Sequence, residues 1–343
     1  MKEETCKTRD YSLDWIRLFS CICVICIHVS NVYSRDYGKI DNVSYVFSVI
    51  TNTVTRVSVP LFFMISGVLL IPQKVNAQKY KKRVLKYSAI LLVWSIFYRL
   101  FNHFYMGPDY EGYEFAMENI FYQPVEKHLW FLFALLTVYL ILPAIQTLCQ
   151  KVSDRLMQKL LAVWLLGMFA ITLLNMHEMK IRYPIVGLGS TYYIGYFIAG
   201  YFIYKILDKH TIPFRYILPC IIVGFVITAG YTLWDTNRSH IHVEDYFHYR
   251  SAFIAMSSIG IFIICLKKLK ALPMNHFFQI ATNCSFGIYL SHVGILNIIQ
   301  KETSFFHGSS PIMIPVITLL IFISSYALVY GLKKLPGIRL VVS

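Results

Sequence analysis

Residues 13–34 read LDWIRLFSCICVICIHVSNVYS, a run of about 20 mainly apolar residues, the length at which a helix crosses the hydrocarbon of a bilayer. Working outward, further runs of this kind fall near 44–71, 84–106, 128–149, 157–176, 190–207, 214–234, 250–268, 281–300 and 311–332. A backbone in hydrocarbon must satisfy its own N–H and C=O groups, and these runs are too long and too rich in Leu and Ile for barrel strands. The sequence therefore predicts an all-α, polytopic membrane protein of about ten transmembrane helices. Its 57% apolar and 16% aromatic residues exclude an ordinary soluble protein, as does a mean hydropathy of +0.55.

Orientation follows from the loops, because Lys and Arg are retained on the cytoplasmic side. Lys2, Lys7 and Arg9 precede the first run, and Lys74, Lys79, Lys81, Lys82 and Arg83 follow the second. Lys151 and Arg155 follow the fourth, Lys209 and Arg215 the sixth, Lys267, Lys268 and Lys270 the eighth, and Lys333, Lys334 and Arg339 the tenth. The intervening loops carry Asp109, Glu111, Glu114, Glu118, Asp235, Glu244 and Asp245. An even number of spans puts every basic group on one side, with the N-terminus and C-terminus both cytoplasmic. The net charge of +14 is thus explained by membrane topology, and no nucleic-acid partner is expected. No linker, low-complexity run or internal repeat divides the chain, so residues 1–343 read as one integral membrane domain. The first run lacks the cleavage site of a signal peptide and is expected to stay attached.

Eight cysteines invite a disulfide or metal reading. All but Cys6 lie in or beside apolar runs, and a helix turns Cys21, Cys23 and Cys26 in different directions with no further Cys or His cluster beside them. They read as small membrane residues, and no metal site is expected.

Ionisable groups inside a membrane helix cost several kcal/mol unless paired, hydrated or turned to a polar cavity, which makes each one a functional candidate. In the first run Arg17 and His28 are eleven residues apart, so they share one helical stripe about 16 Å in length. That distance matches the reach of a pantetheine arm, with acyl-donor phosphates near Arg17 and a thioester near His28. Asp14 is placed to pair with Arg17. A neutral imidazole can take a proton from a hydroxyl and return it to a thiolate. Equally, Asp14 and Arg17 can snorkel to the inner interface while His28 bonds a neighbouring helix.

The second run holds RVSVPLFFMISG, residues 56–67, with Arg56 near mid-depth and Pro60 four residues on. The proline frees a carbonyl and opens space beside the guanidinium, which suits a phosphate, a carboxylate or a developing oxyanion; a structural ion pair is the plainer alternative. Ser66 and Gly67 read as close-packing residues rather than as a nucleophile site. His128 and Trp130, in KHLWFLF, fall at the outer interface, where an aromatic is usually an anchor. His292, in SFGIYLSHVGIL, lies deeper. The aromatic run TYYIGYFIAGYFIY reads as packing material.

Taken together, these segments resemble the acyltransferase-3 family of integral membrane proteins. The early Arg and His, the VPLFFxxSG segment, the HLWFL segment and the late YLxH segment occur here in that family's order. RVSVPLFFMISG, HLWFLFA and the RLVVS ending look most like stand-alone members similar to the O-acetyltransferase of enterobacterial common antigen. The resemblance implies transfer of an acyl group, commonly acetyl from acetyl-CoA acting as co-substrate, to a hydroxyl of a glycan or lipid-linked sugar at the cell membrane. It maps the family's essential residues onto His28 and Arg17, with Asp14 beside them, and its basic residue before VPLFF onto Arg56. Arg17 and Arg56 are then the donor-binding pair, and His128, Trp130 and His292 candidate acceptor-binding residues. Some relatives carry an appended esterase-like domain; here transfer is expected to finish within the membrane domain. Two other classes fit the residues: a transporter or flippase in which Arg17, Arg56 and His292 bind a polar solute such as an amino acid, and a membrane anchor without chemistry.

Overall fold

In the computed structural model, residues 11–107, 110, 124–176 and 191–342 are described. Lys2, Cys6, Lys7 and Arg9, and the acidic Asp109, Glu111, Glu114 and Glu118, lie outside them. The first apolar run folds as α1 (Ser12–Arg35), unbroken over 24 residues, with Asp14 in its first turn and Arg35 in its last, where each charge suits the helix dipole. Its buried faces carry Ser12, Ser20, Cys21, Cys23, Ser30 and Ser34, small residues that let other helices approach. The cysteines among the described residues are all free, and those residues hold no His, Cys, Asp or Glu group able to bind a metal.

The second run is two helices, α2 (Asn42–Thr55) and α3 (Ser58–Leu70), with Arg56 and Val57 at the break. The cause is local. Pro60 has no N–H to give the carbonyl four residues earlier, which belongs to Arg56. A second break has the same origin: α5 (Trp130–Leu140) and α6 (Leu142–Lys151) meet at 56°, and Pro143 leaves the Tyr139 carbonyl without its helical donor. Between these pairs runs α4 (Ala77–Phe101), which ends in a π turn over Asn102–Met106. A 3₁₀ turn, Lys127–Leu129, leads into α5. The remaining helices are α7 (Asp154–Met176), α8 (Thr191–Leu207), α9 (Phe214–Ser239), α10 (Ala252–Leu269), α11 (His276–Glu302) and α12 (Ser310–Leu332).

The described residues are all-helical, with no strand. Among the described residues seven helical rods, with α2 and α3 counted as one, are long and apolar enough to cross a membrane, and the bent α5–α6 pair brings the number to eight. The expected count of ten is therefore met in part. Of the two rods that fall short, α8 has only 17 residues, while α11 has 27 but is interrupted by polar residues such as Gln279, Asn283, Ser291 and Asn297. Outward-facing Val163, Leu166 and Val226 are strongly exposed, as side chains meeting lipid would be.

α1 stands at the centre, packed against α2, α3, α10, α11 and α12. The closest pairing is α3 with α8, and glycines explain it: a Cβ on Gly67 would overlap the Phe197 carbonyl, and one on Gly200 would overlap the Met64 backbone. Gly67 is thus a close-packing residue, as expected, and Ser66 returns its hydroxyl to the Phe62 carbonyl at 2.8 Å.

Candidate active site

Three histidines far apart in sequence meet at one point. The His28 ring on α1 lies 5.0 Å from that of His292 on α11 and 6.2 Å from that of His128 in the 3₁₀ turn; His128 and His292 are 5.3 Å apart. His128 and His292 are almost wholly buried, at 2% and 0% exposure. His128 is therefore packed inside the bundle and not on its surface.

The hydrogen bonds around the cluster fix ring protons. His292 Nδ1 is 2.6 Å from the Tyr289 carbonyl, one helical turn back. A carbonyl only accepts, so Nδ1 carries the hydrogen and Nε2 keeps the lone pair. By the same reasoning His128 Nε2, 3.4 Å from the Leu290 carbonyl, is the protonated nitrogen and Nδ1 bears the lone pair. Both lone-pair nitrogens are buried and have no hydrogen-bond partner among the described residues. The surroundings are rigid. Tyr98 Oη on α4 donates to the Leu290 carbonyl at 2.7 Å and accepts from Gly294 N at 3.1 Å, while Tyr289 Oη donates to the His128 carbonyl.

His28 alone of the three is partly open, and it lines a cavity of about 570 Å³ together with Asn31, Arg35, Arg99, Glu126, His128 and Asn297. Glu126 accepts from Asn102 Nδ2 at 2.8 Å and from Tyr110 Oη at 3.0 Å, and Tyr110 accepts from Asn297 Nδ2 at 2.8 Å. Asn102 is the residue at which α4 passes into the π turn. At the rim Arg35 Nε donates to Glu244 at 2.8 Å. Burial pushes the Glu244 carboxyl up, but the Arg35 guanidinium outweighs it and holds the group below the usual carboxylate range.

Arg56 reaches the site through amides. Its Nε donates to Asn52 Oδ1 at 2.7 Å, and Asn52 Nδ2 donates to Asn31 Oδ1, one turn beyond His28 on α1. The guanidinium lies over the Phe247 and Tyr249 rings, at 4.9 and 5.8 Å. Trp130 stacks between Tyr193 and Tyr249, at 5.4 and 5.5 Å. It supports the ring beneath Arg56 and does not line the cavity.

Arg17 stands elsewhere. It lies 3.6 Å from Asp14, at the opposite end of α1 from the cavity, and both Arg17 and Arg83 bear electrostatically on the Tyr139 hydroxyl. Cys21, Val24 and Ile25, between Arg17 and His28 in sequence, are buried. The fold therefore brings together His28, His128, His292 and, through two amides, Arg56, and leaves Asp14, Arg17 and Trp130 outside that group. Arg99 and Glu126 were missed from the sequence. Arg99, in WSIFYRLF, is an arginine within an apolar run and carried the same signal as Arg56; Glu126 gave none, because it sits in a loop.

No curated protein matches this chain, and no solved structure matches it. Residues 10–332 match the profile of a family described as an acyltransferase domain, which spans every rod that builds the site. With that match over nearly its whole length, the chain belongs to the acyltransferase-3 family, whose members are membrane acyltransferases.

Proposed function

We propose that the protein moves an acyl group, acetyl, from acetyl-CoA supplied on the cytoplasmic side to a hydroxyl of a cell-surface glycan or lipid-linked sugar. On this reading the ten helical rods cross the cell membrane, both termini are cytoplasmic, and stand-alone O-acetyltransferases such as that of enterobacterial common antigen are a functional parallel. The carrying observation is His28, an imidazole on the wall of a polar cavity, with no hydrogen bond from the described residues to occupy its nitrogens.

The acceptor hydroxyl enters the cavity and gives its proton to His28 as its oxygen forms the new bond to the thioester carbon. The C–S bond then breaks, and His28 passes the proton to the departing thiolate, leaving ester and free CoA. Arg56, whose charge acts on His28, is the nearby cation for the oxyanion that forms between these steps. Arg17, held by Asp14 at 3.6 Å, is the cation for the donor's phosphates, about 16 Å away along α1. A volume of about 570 Å³ accommodates an acceptor unit of small-ligand size.

The test is transfer of labelled acetyl from acetyl-CoA to membrane glycans by purified protein in lipid nanodiscs. His28→Ala should remove all but a trace of the rate, a loss of about a hundredfold or more, with the melting temperature unchanged. Full activity in that variant refutes the reading, and solute uptake by proteoliposomes without any donor points to a transporter instead.

A further inference from the structure

Beside His28, and not lining the cavity, stands a group the reaction above does not use. His292 is fully buried, its Nδ1–H is committed to the Tyr289 carbonyl, and its Nε2 lone pair has no donor among the described residues. An acceptor left in that state bears its desolvation cost without return, so a fold that keeps one invites a reason. The ring 5.0 Å away is His28, and two imidazoles joined edge to edge through an N–H···N bond of ordinary length have centroids roughly 5 Å apart. A small rotation of the partly open His28 ring closes that bond.

We infer that His292 is a positioning residue for the acyl transfer: its Nε2 accepts the N–H of His28, fixing the His28 tautomer so that the opposite nitrogen presents its lone pair to the acceptor hydroxyl. This rests on His28 being the base. The arrangement has the logic of a base held by a third group, with a neutral imidazole where a carboxylate often stands. When His28 takes the hydroxyl proton both its nitrogens carry hydrogen; one N–H remains with His292 and the other faces the leaving thiolate, so the returned proton is the one that arrived. His128 is less suited to the task, since its ring is 6.2 Å from His28 and nearly perpendicular to it. Its edge packs against both other rings and closes the pocket around them.

Two substitutions separate this role from a structural one. His292→Asn can keep a bond to the Tyr289 carbonyl but falls short of His28, whereas His292→Gln extends an amide oxygen to the place of Nε2. Histidine-selective ¹⁵N spectra of the full chain in nanodiscs, with His28 assigned by the signals lost in His28→Gln, read the tautomer directly. The wild type and His292→Gln should show His28 with one protonated and one lone-pair nitrogen, and His292→Asn should show the two averaged. In acetyl transfer from acetyl-CoA to membrane glycans, His292→Asn should lower kcat about 10- to 100-fold, with KM for acetyl-CoA within about twofold, and His292→Gln should recover most of the loss. Unaltered His28 signals in His292→Asn, or equal loss of kcat in both variants, overturn the positioning role while leaving His28 as base. Full transfer by His28→Ala overturns the base itself, and the catalytic meaning of His292 with it.

Discussion

A guanidinium near hydrocarbon persists only where its charge is met, and the two arginines that flank His28 are met differently. Arg56 is held by a neutral amide and two aromatic faces, so its charge stays available to a ligand. Arg35 is spent on Glu244, tying the end of α1 to the loop before α10. Because the Glu244 carboxyl is held below the about 4.5 of a free one, the tether contributes in full above that value and is lost as pH falls through the folded one. Both side chains are nearly half exposed, at 46% and 40%, which limits the contribution to less than about 1 kcal/mol. Glu244→Gln should therefore lower the melting temperature slightly at pH 7, and the gap from the wild type should shrink as pH falls through the lowered pKa of the folded carboxyl. A gap that does not change with pH removes the tether.

Among helices, contact distance decides what a residue may become. Gly67→Ala drives a Cβ into the Phe197 carbonyl, and because the obstacle is backbone, α3 and α8 must separate; a loss of about 1–3 kcal/mol is expected from thermal unfolding in detergent. Gly167→Ala on α7, where nothing lies within 4 Å, should be neutral or stabilise by up to about 1 kcal/mol. Equal effects from the two substitutions refute glycine as the reason for the α3–α8 contact. This is also the scale at which sequence reading succeeds and stops. Each of the ten apolar runs is helical over its described residues apart from its ends and the breaks at Arg56, Val57 and Ile141, since hydropathy and the demand for internal hydrogen bonds act locally. The breaks were only half legible: Pro60 announced a kink, but a proline removes a hydrogen bond without setting the angle, so neither the separation into α2 and α3 nor the 56° bend at Ile141 could be read in advance. His128 shows the same limit. A histidine ahead of an apolar run has an interfacial sequence context, and only the approach of α11, 161 residues later at Tyr289, makes it part of a buried cluster.

At the scale of the molecule, side-chain bonds sort the connecting segments into two ends. At one, Trp15 bonds the Leu272 carbonyl, Gln150 those of Ile71 and Gln73, and Lys333 that of Asn283, while Lys205 pairs with Asp154. At the other, Ser310 bonds Ser44, Arg35 meets Glu244, Tyr45 meets Thr236 and His242, and Tyr105 meets Glu302. α11 has Asn283 at the first end and Glu302 at the second, so it runs the height of the bundle despite its polar residues. The first end carries Lys79, Lys81, Lys82, Lys267, Lys268 and Lys333, and accounts for much of the +14 charge; in the proposed orientation, with such groups retained during insertion, it is the cytoplasmic end. The histidine cavity opens at the second end, beside Arg35 and Glu244. On the proposed function, an acyl donor from the cytoplasm and an acceptor outside approach His28 from opposite directions. Lys81→Cys and Asn237→Cys, each in a background without the native cysteines, give the measurement, because both positions are exposed and lie at opposite ends. A membrane-impermeant maleimide applied to intact cells should label Asn237→Cys and reach Lys81→Cys only after the membrane is opened. The reverse pattern inverts the molecule, turns the cavity toward the cytoplasm, and leaves an outside acceptor without access to His28.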